Sequence, residues 1–415
     1  MTFDVVIKGG RVIDPAQGLD GRRDVAILAG RVAAVDASIP AESAFRVIDA
    51  DGLLVTPGLI DFHAHVFHGF TYWGLQPDTI GPRTGVTTWV DAGSVGAITL
   101  PAFRRHIVAP ARVRIRAFLN IAYIGLIGPD FELQVPELCD VDLFERMCRM
   151  HHDLIVGCKV RMGTPTVGAN GVAPMRAARE ASDRCGVPIM VHIADAPPEI
   201  DEVLPFLRGG DVITHCASGA TMKLVHDDGR LRESTRRAID AGVILDVGHG
   251  AGGMTFASSE ALIAAGSPPD VISTDLHQMS HHGPAVMSND AAASPFITIR
   301  DDDTPEFTLP VCMSKFLALG MDLSDVIAAT TARPAELIGE AGRLGTLAPG
   351  ATADVALFEL ETGRFSLLDT VGAERIGTER LRNTMTLIAG REAERVPAAP
   401  PAPWVDFVDP RSGDG

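Results

Sequence analysis

Two textures of hydrophobic and polar positions divide the chain. Near the start, "DVVIKGGRVID" and "DVAILAGRVAAVD" place β-formers around glycine, as hairpins do, and the same texture returns in "LGTLAPGATADVALFEL" and "MTLIAGREAERV". Between these ends, short apolar runs alternate with polar, helix-compatible stretches such as "APMRAAREASDRCG". The runs "LIDFHAH", "TTWVDAG", "RAFLNIA", "LIVGCKVRM", "PIMVHIA", "DVITHC", "VILDVGHG" and "VISTDLH" read as eight strands. That βα rhythm predicts an α/β protein with a (β/α)8 barrel of the TIM type. The expected organisation is a barrel over residues 56–343, with residues 1–55 and 344–396 meeting in a small composite β-sandwich. The Pro-rich tail, 397–415, is expected to lie extended over the surface or a neighbouring subunit.

The chain has 415 residues, enough for a barrel with an appended domain. Its net charge of −17, with no long basic run, argues against nucleic acid and anionic membranes as partners. The start carries no secretory pattern, and no run of about 18 apolar residues suggests a membrane span. Six scattered cysteines without a CxxC pair read as reduced thiols of a cytoplasmic enzyme.

Composition says little about catalysis; the interruptions of the apolar runs say more. His63, His65, Lys159, His192, His215 and Asp275 stand near the C-terminal ends of five candidate strands. In a parallel barrel those ends open on one face, where active sites of this architecture sit. His63 and His65 are two apart, so they point the same way, inward if Ala64 faces the helices. Neutral imidazoles converging with a carboxylate form a site for transition metals, zinc above all. Taken singly, Lys159 would pair with an acid and Asp275 would cap the following helix. A bare ammonium in "LIVGCKVRM" would be costly to bury, so a neutral Lys159 amine is expected, and such an amine can add CO2 to give a bridging carbamate.

Together "DFHAH", the strand-borne Lys159, "VHIAD", "ITHC" and "STDLH" resemble the amidohydrolase superfamily, nearest its amidohydrolase/deacetylase branch beside dihydroorotase and D-aminoacylase. "TARPAELIG" and "GTLAPGATADVALF" extend the resemblance to about residue 360. The resemblance implies two divalent ions, most simply zinc. His63, His65 and Asp275 would hold one, His192 and His215 the other, and N6-carboxylated Lys159 would bridge them. It also implies that Asp275 shuttles the proton of a nucleophilic hydroxide, and that the enzyme is a homo-oligomer.

The substrate is expected to be a small molecule with a carboxylate, gripped by Arg161, which the alternative reading makes a rim salt bridge. His277, His249 on the seventh loop, Asn120 and Tyr123 are further candidate substrate contacts, with Tyr72 weaker; His68 reads as loop. "HHGP", with His281 and His282, reads as a lid or plain surface. Dihydroorotases place an arginine where "HAHVF" has Phe67, which disfavours dihydroorotate. The first reading is therefore a deacylase of an N- or O-acylated small acid, such as an acetylated 2-hydroxy acid or an N-acyl amino acid. The alternatives are a cyclic amidohydrolase opening a hydantoin- or dihydropyrimidine-like ring, and a non-catalytic scaffold.

Overall fold

The computed structural model describes residues 2–278, 308–394 and 396. "HHGP" and the tail 397–415 lie outside the described residues. The first five strands are β1 (Phe3–Asp14), β2 (Leu19–Leu28), β3 (Arg31–Asp36), β4 (Ala44–Asp49) and β5 (Leu54–Pro57). "DVVIKGGRVID" is therefore one strand and not the expected hairpin. The β1–β2 register shifts between Ile7 and Gly10, and this irregularity lets β1 pair with β4 through Phe3–Lys8 and with β5 through Arg11 and Val12.

A parallel sheet follows, made of β6 (Leu59–Ala64), β7 (Val86–Gly96), β8 (Arg114–Asn120), β9 (Ile155–Met162), β10 (Ile189–Ile193), β11 (Val212–Thr214) and β12 (Ile244–Asp246). Each strand pairs with the next in chain order. β6 and β7 are buried along their whole length, as expected of strands covered on both faces. Helices such as Ala173–Cys185 lie between the strands. The eighth predicted run is not a regular strand, yet it touches both edges of the sheet. Val271 bridges to Asp246 beside β12, and Leu276 bridges to Ala64 of β6. Asp275 N–H donates to His63 O at 2.7 Å, and His65 N–H to Leu276 O at 2.9 Å.

The chain then returns through β13 (Val355–Leu368), β14 (Glu374–Ile388) and β15 (Arg391–Glu392), which join β1–β5 in one eight-stranded sheet with β13 against β5. The look-alike stretches "AILAGRV" and "LIAGREA" are both tight hairpins. Ala29–Gly30 and Ala389–Gly390 all have positive φ, the conformation a two-residue primed turn requires.

Two apolar cores hold these layers. Trp89, Phe103, Val191, Leu262 and Phe316 pack among the helices around the parallel sheet, while Val12, Val25, Val55 and Val355 form the core of the end-derived sheet. A third cluster, with Ile60, Phe62, Phe118, Met190 and Val212, lies beneath the site described next. Among the described residues, no helix is long and apolar enough to cross a membrane.

Candidate metal centre

The β6 register shifts between Asp61 and Ala64. This irregularity accompanies neighbouring side chains that both reach the interior. Phe62 packs edge-on against Phe118, with ring centroids 5.6 Å apart, and His63 reaches toward β11 and β12. His63 Nδ1 lies 2.6 Å from Thr214 Oγ1 and 3.4 Å from Asp246 Oδ2. Its other nitrogen, Nε2, is 3.2 Å from Asp275 Oδ1, and His65 Nε2 is 3.0 Å from the same oxygen. Ligand atoms of His63, His65 and Asp275 all fall within 4.8 Å of one another.

A second group adjoins the first. His192 Nδ1 and His215 Nε2 are 2.8 Å apart, and His215 Nε2 is 4.0 Å from Asp275 Oδ2. His215 Nδ1 faces Gly248 O at 2.7 Å. A carbonyl only accepts, so Nδ1 carries the proton and Nε2 keeps its lone pair toward His192 and Asp275. His215 and Asp275 both have left-handed backbones, at φ 64° and 49°. Such conformations are uncommon outside glycine and concentrate at functional sites.

Burial pushes His215 down to about 3 and His192 well below the ordinary imidazole value. Both rings are thus neutral bases, the form a metal requires. Burial also raises the Asp275 carboxyl, but His63 and His65 outweigh that effect and hold it well below the usual range. Lys159 is 1% exposed, and its hydrogen-bond partners are His63 Nε2 at 3.2 Å and Met190 Sδ at 3.6 Å. Among the described residues it does not form the acid pair that the plainer sequence reading offered. Burial lowers its ammonium to about 8, so the amine is accessible as a neutral base.

The seventh loop closes tightly over this group. A Cβ on Gly250, at φ +46°, would overlap Asp275 Oδ2. Gly248 leaves equally little room, since its Cβ would stand 2.9 Å from His63 Nδ1 and 3.0 Å from His215 Nδ1. Imidazole nitrogens, an ionised carboxylate and a buried amine in one compact cradle suit divalent transition metals.

A pocket of about 400 Å³ opens from this group. Lys159, His192, His215 and Asp275 line it with Arg161 and His277, and Trp73, Leu126 and Ile193 provide apolar wall. Arg161 donates from Nη2 to Asp130 Oδ1 at 2.7 Å, so it is ion-paired at the pocket wall. Burial pushes the nearby Glu132 carboxyl up, against the opposing pull of Arg161. Burial lowers His277 to about 4, and its ring packs on Trp73 with centroids 4.8 Å apart. Phe67 is buried against Phe70 and Phe103, leaving Arg161 as the arginine among the described lining residues.

Three expected substrate contacts are placed elsewhere. Asn120 uses its amide on the backbone, with Nδ2 donating to Gly93 O and Oδ1 accepting from Ala122 N–H. Tyr123 packs against the helix-side core. His249 turns from the pocket toward Lys315, with Nε2 2.7 Å from Nζ, while the glycines after it reach the lining. Sequence reasoning missed Trp73, Asp130, Glu132 and the buried Asp246. Only Asp246 carried a signal, as a polar residue inside the apolar run "VILDVGHG".

No family model matches the chain. A deacetylase of Agrobacterium fabrum is 34% identical over 346 residues, covering 83% of this chain and 79% of that one. A deacetylase of Enterococcus faecalis is 29% identical over 393 residues, covering 94% and 99%. Among solved structures, an adenine deaminase superposes with a TM-score of 0.83 at 29% identity, covering 94% of this chain and 99% of that one. A dihydroorotase superposes with a TM-score of 0.82 at 31% identity, covering 94% and 98%. With its cluster of metal-binding side chains and a relative of such identity over most of both chains, this protein belongs to the amidohydrolase superfamily of metal-dependent hydrolases.

Proposed function

We propose that the protein is a deacylase that releases acetate or another small acyl group from an acylated small acid, an acetylated 2-hydroxy acid or an N-acyl amino acid. The observation that carries this reading is the convergence of His63, His65 and Asp275 with the His192–His215 pair on a pocket whose wall holds Arg161. Relatives named deacetylases, aligned over most of the chain, support the choice among hydrolytic reactions.

His63, His65 and Asp275 would hold one zinc ion and His192 and His215 a second. A carbamate formed when the Lys159 amine adds CO2 and releases a proton would bridge them. Bound divalent ions supply a water of lowered pKa and polarise the scissile carbonyl. Asp275, held ionised, takes the proton of the attacking water and returns it to the leaving amine or alkoxide. Arg161 orients the substrate carboxylate, and Trp73, Leu126 and Ile193 exclude water from the remainder.

The run 271–276 would close the parallel sheet into an eight-membered barrel, with the end-derived sheet wrapped as a β-sandwich beside it. Six free cysteines support a cytoplasmic location. A homo-oligomer of this chain, with neither nucleic acid nor membrane as partner, completes the proposal.

Zinc-reconstituted protein, screened against acylated amino acids and acylated 2-hydroxy acids, should release the acyl group as free acid. Ring opening without acyl release would favour the cyclic amidohydrolase reading, which the likeness to a dihydroorotase structure keeps in view. The presence of all six donor side chains argues against a scaffold.

A further inference from the structure

Arg161 sits between two acids of unequal exposure. Its Nη2 donates to Asp130 Oδ1 at 2.7 Å and to Thr166 Oγ1 at 3.3 Å, and its Nη1 donates to Pro129 O at 3.2 Å. Its Nε has no hydrogen-bond partner among the described residues and lies 3.6 Å from Glu132 Oε1. Glu132 is 4% exposed, and neither carboxylate oxygen is hydrogen-bonded to another of the described residues. The Asp130 side chain is 31% exposed and lines the pocket. Phe131 between them takes a left-handed backbone, φ 77°, and both acids reach the same guanidinium.

We propose that Asp130 and Glu132 form a two-position holder for Arg161, and that exchange between them lets the pocket select substrates bearing a carboxylate. The proposal rests on the deacylase reading and names the device that would set its preference for acids.

One guanidinium facing two acids has no surplus charge to offer a third. Asp130 can withdraw to solvent, where water replaces the lost bond at modest cost. Glu132 is buried, and a buried carboxylate that no other described residue hydrogen-bonds gains most when a charged donor closes on it. A ligand carboxylate that displaces Asp130 from Nη2 therefore costs the site little, provided Nε settles onto Glu132. Glu132 acts through Arg161 and is a positioning residue.

The test is calorimetric binding of phenyllactate and of its primary amide to the metal-loaded protein, neither carrying an acyl group. The quantity read is the preference for acid over amide. Asp130→Asn removes the competitor and should raise that preference about tenfold; Glu132→Gln removes the receiving position and should lower it about tenfold, the scale of one charge-assisted hydrogen bond. Simple electrostatics instead predicts a rise in both variants, since each loses a negative charge. A rise in both, a fall in both or no change would overturn the exchange. A general structural defect would weaken acid and amide alike and leave the preference unmoved, which also counts against it. If the preferences shift in opposite directions while no acylated acid is hydrolysed, the deacylase reading fails and the holder stands.

Discussion

Lys159 Nζ lies 3.2 Å from Nε2 of His63, two bases in contact in the interior of the parallel sheet. One proton can be shared across this contact, while a second would place two cations side by side without solvent between them. The same Nε2 also lies 3.2 Å from Asp275 Oδ1, so amine, imidazole and carboxylate crowd one point, and under the proposed function Lys159 is the residue on which metal retention should turn.

Lys159→Ala should lose bound zinc together with turnover, and short carboxylic acids should restore part of both by occupying the place of the carbamate. Metal analysis after dialysis, with and without added acid, checks this. A variant that keeps its full metal content unaided would remove Lys159 from the bridging role.

Asp275→Asn should fold normally and lose turnover by about 10² to 10⁴, the usual contribution of a positioned general acid–base group. Circular dichroism reports the fold and steady-state kinetics the loss. Normal turnover would exclude Asp275 as proton shuttle.

Gly250→Ala should impair metal binding, because the new Cβ overlaps Asp275 Oδ2 and the position needs φ +46°. Gly252, in the same loop, has no described residue within 4 Å of where a Cβ would stand, so Gly252→Ala should retain its metal. Equal zinc content in the two variants would refute the steric account.

Acid sensitivity should appear away from the site, at Asp24. Burial raises its carboxyl, but Lys8 Nζ at 2.5 Å and the backbone N–H groups of Ile39 and Gly9 more than offset this, and the net shift is downward. A carboxyl lowered in the folded state stabilises fully above its unfolded pKa of about 4 and loses that contribution as pH falls through the folded value. Asp24→Asn should therefore lower the melting temperature at neutral pH and flatten its decline in acid. Parallel melting curves for both proteins across that range would contradict the assignment.

Much of this protein is written locally. The His-x-His spacing announces a pair of ligand-type side chains, short apolar runs announce the parallel strands, and "AG" between β-formers specifies two tight turns. These features depend on neighbours a few residues apart, so the letters alone determine them. The side chains that meet across the sheet were decided elsewhere. Asp275 takes its left-handed backbone in a segment bridging the first and last strands, a conformation that no local preference of aspartate requires. Arg161 meets Asp130 and Glu132 only because the loop after β8 folds back over β9, and His249 meets Lys315 only because a helix 66 residues later packs beneath its loop. Such partners are set by packing of distant elements, where several arrangements satisfy the same hydrophobic pattern and only the assembled core selects one.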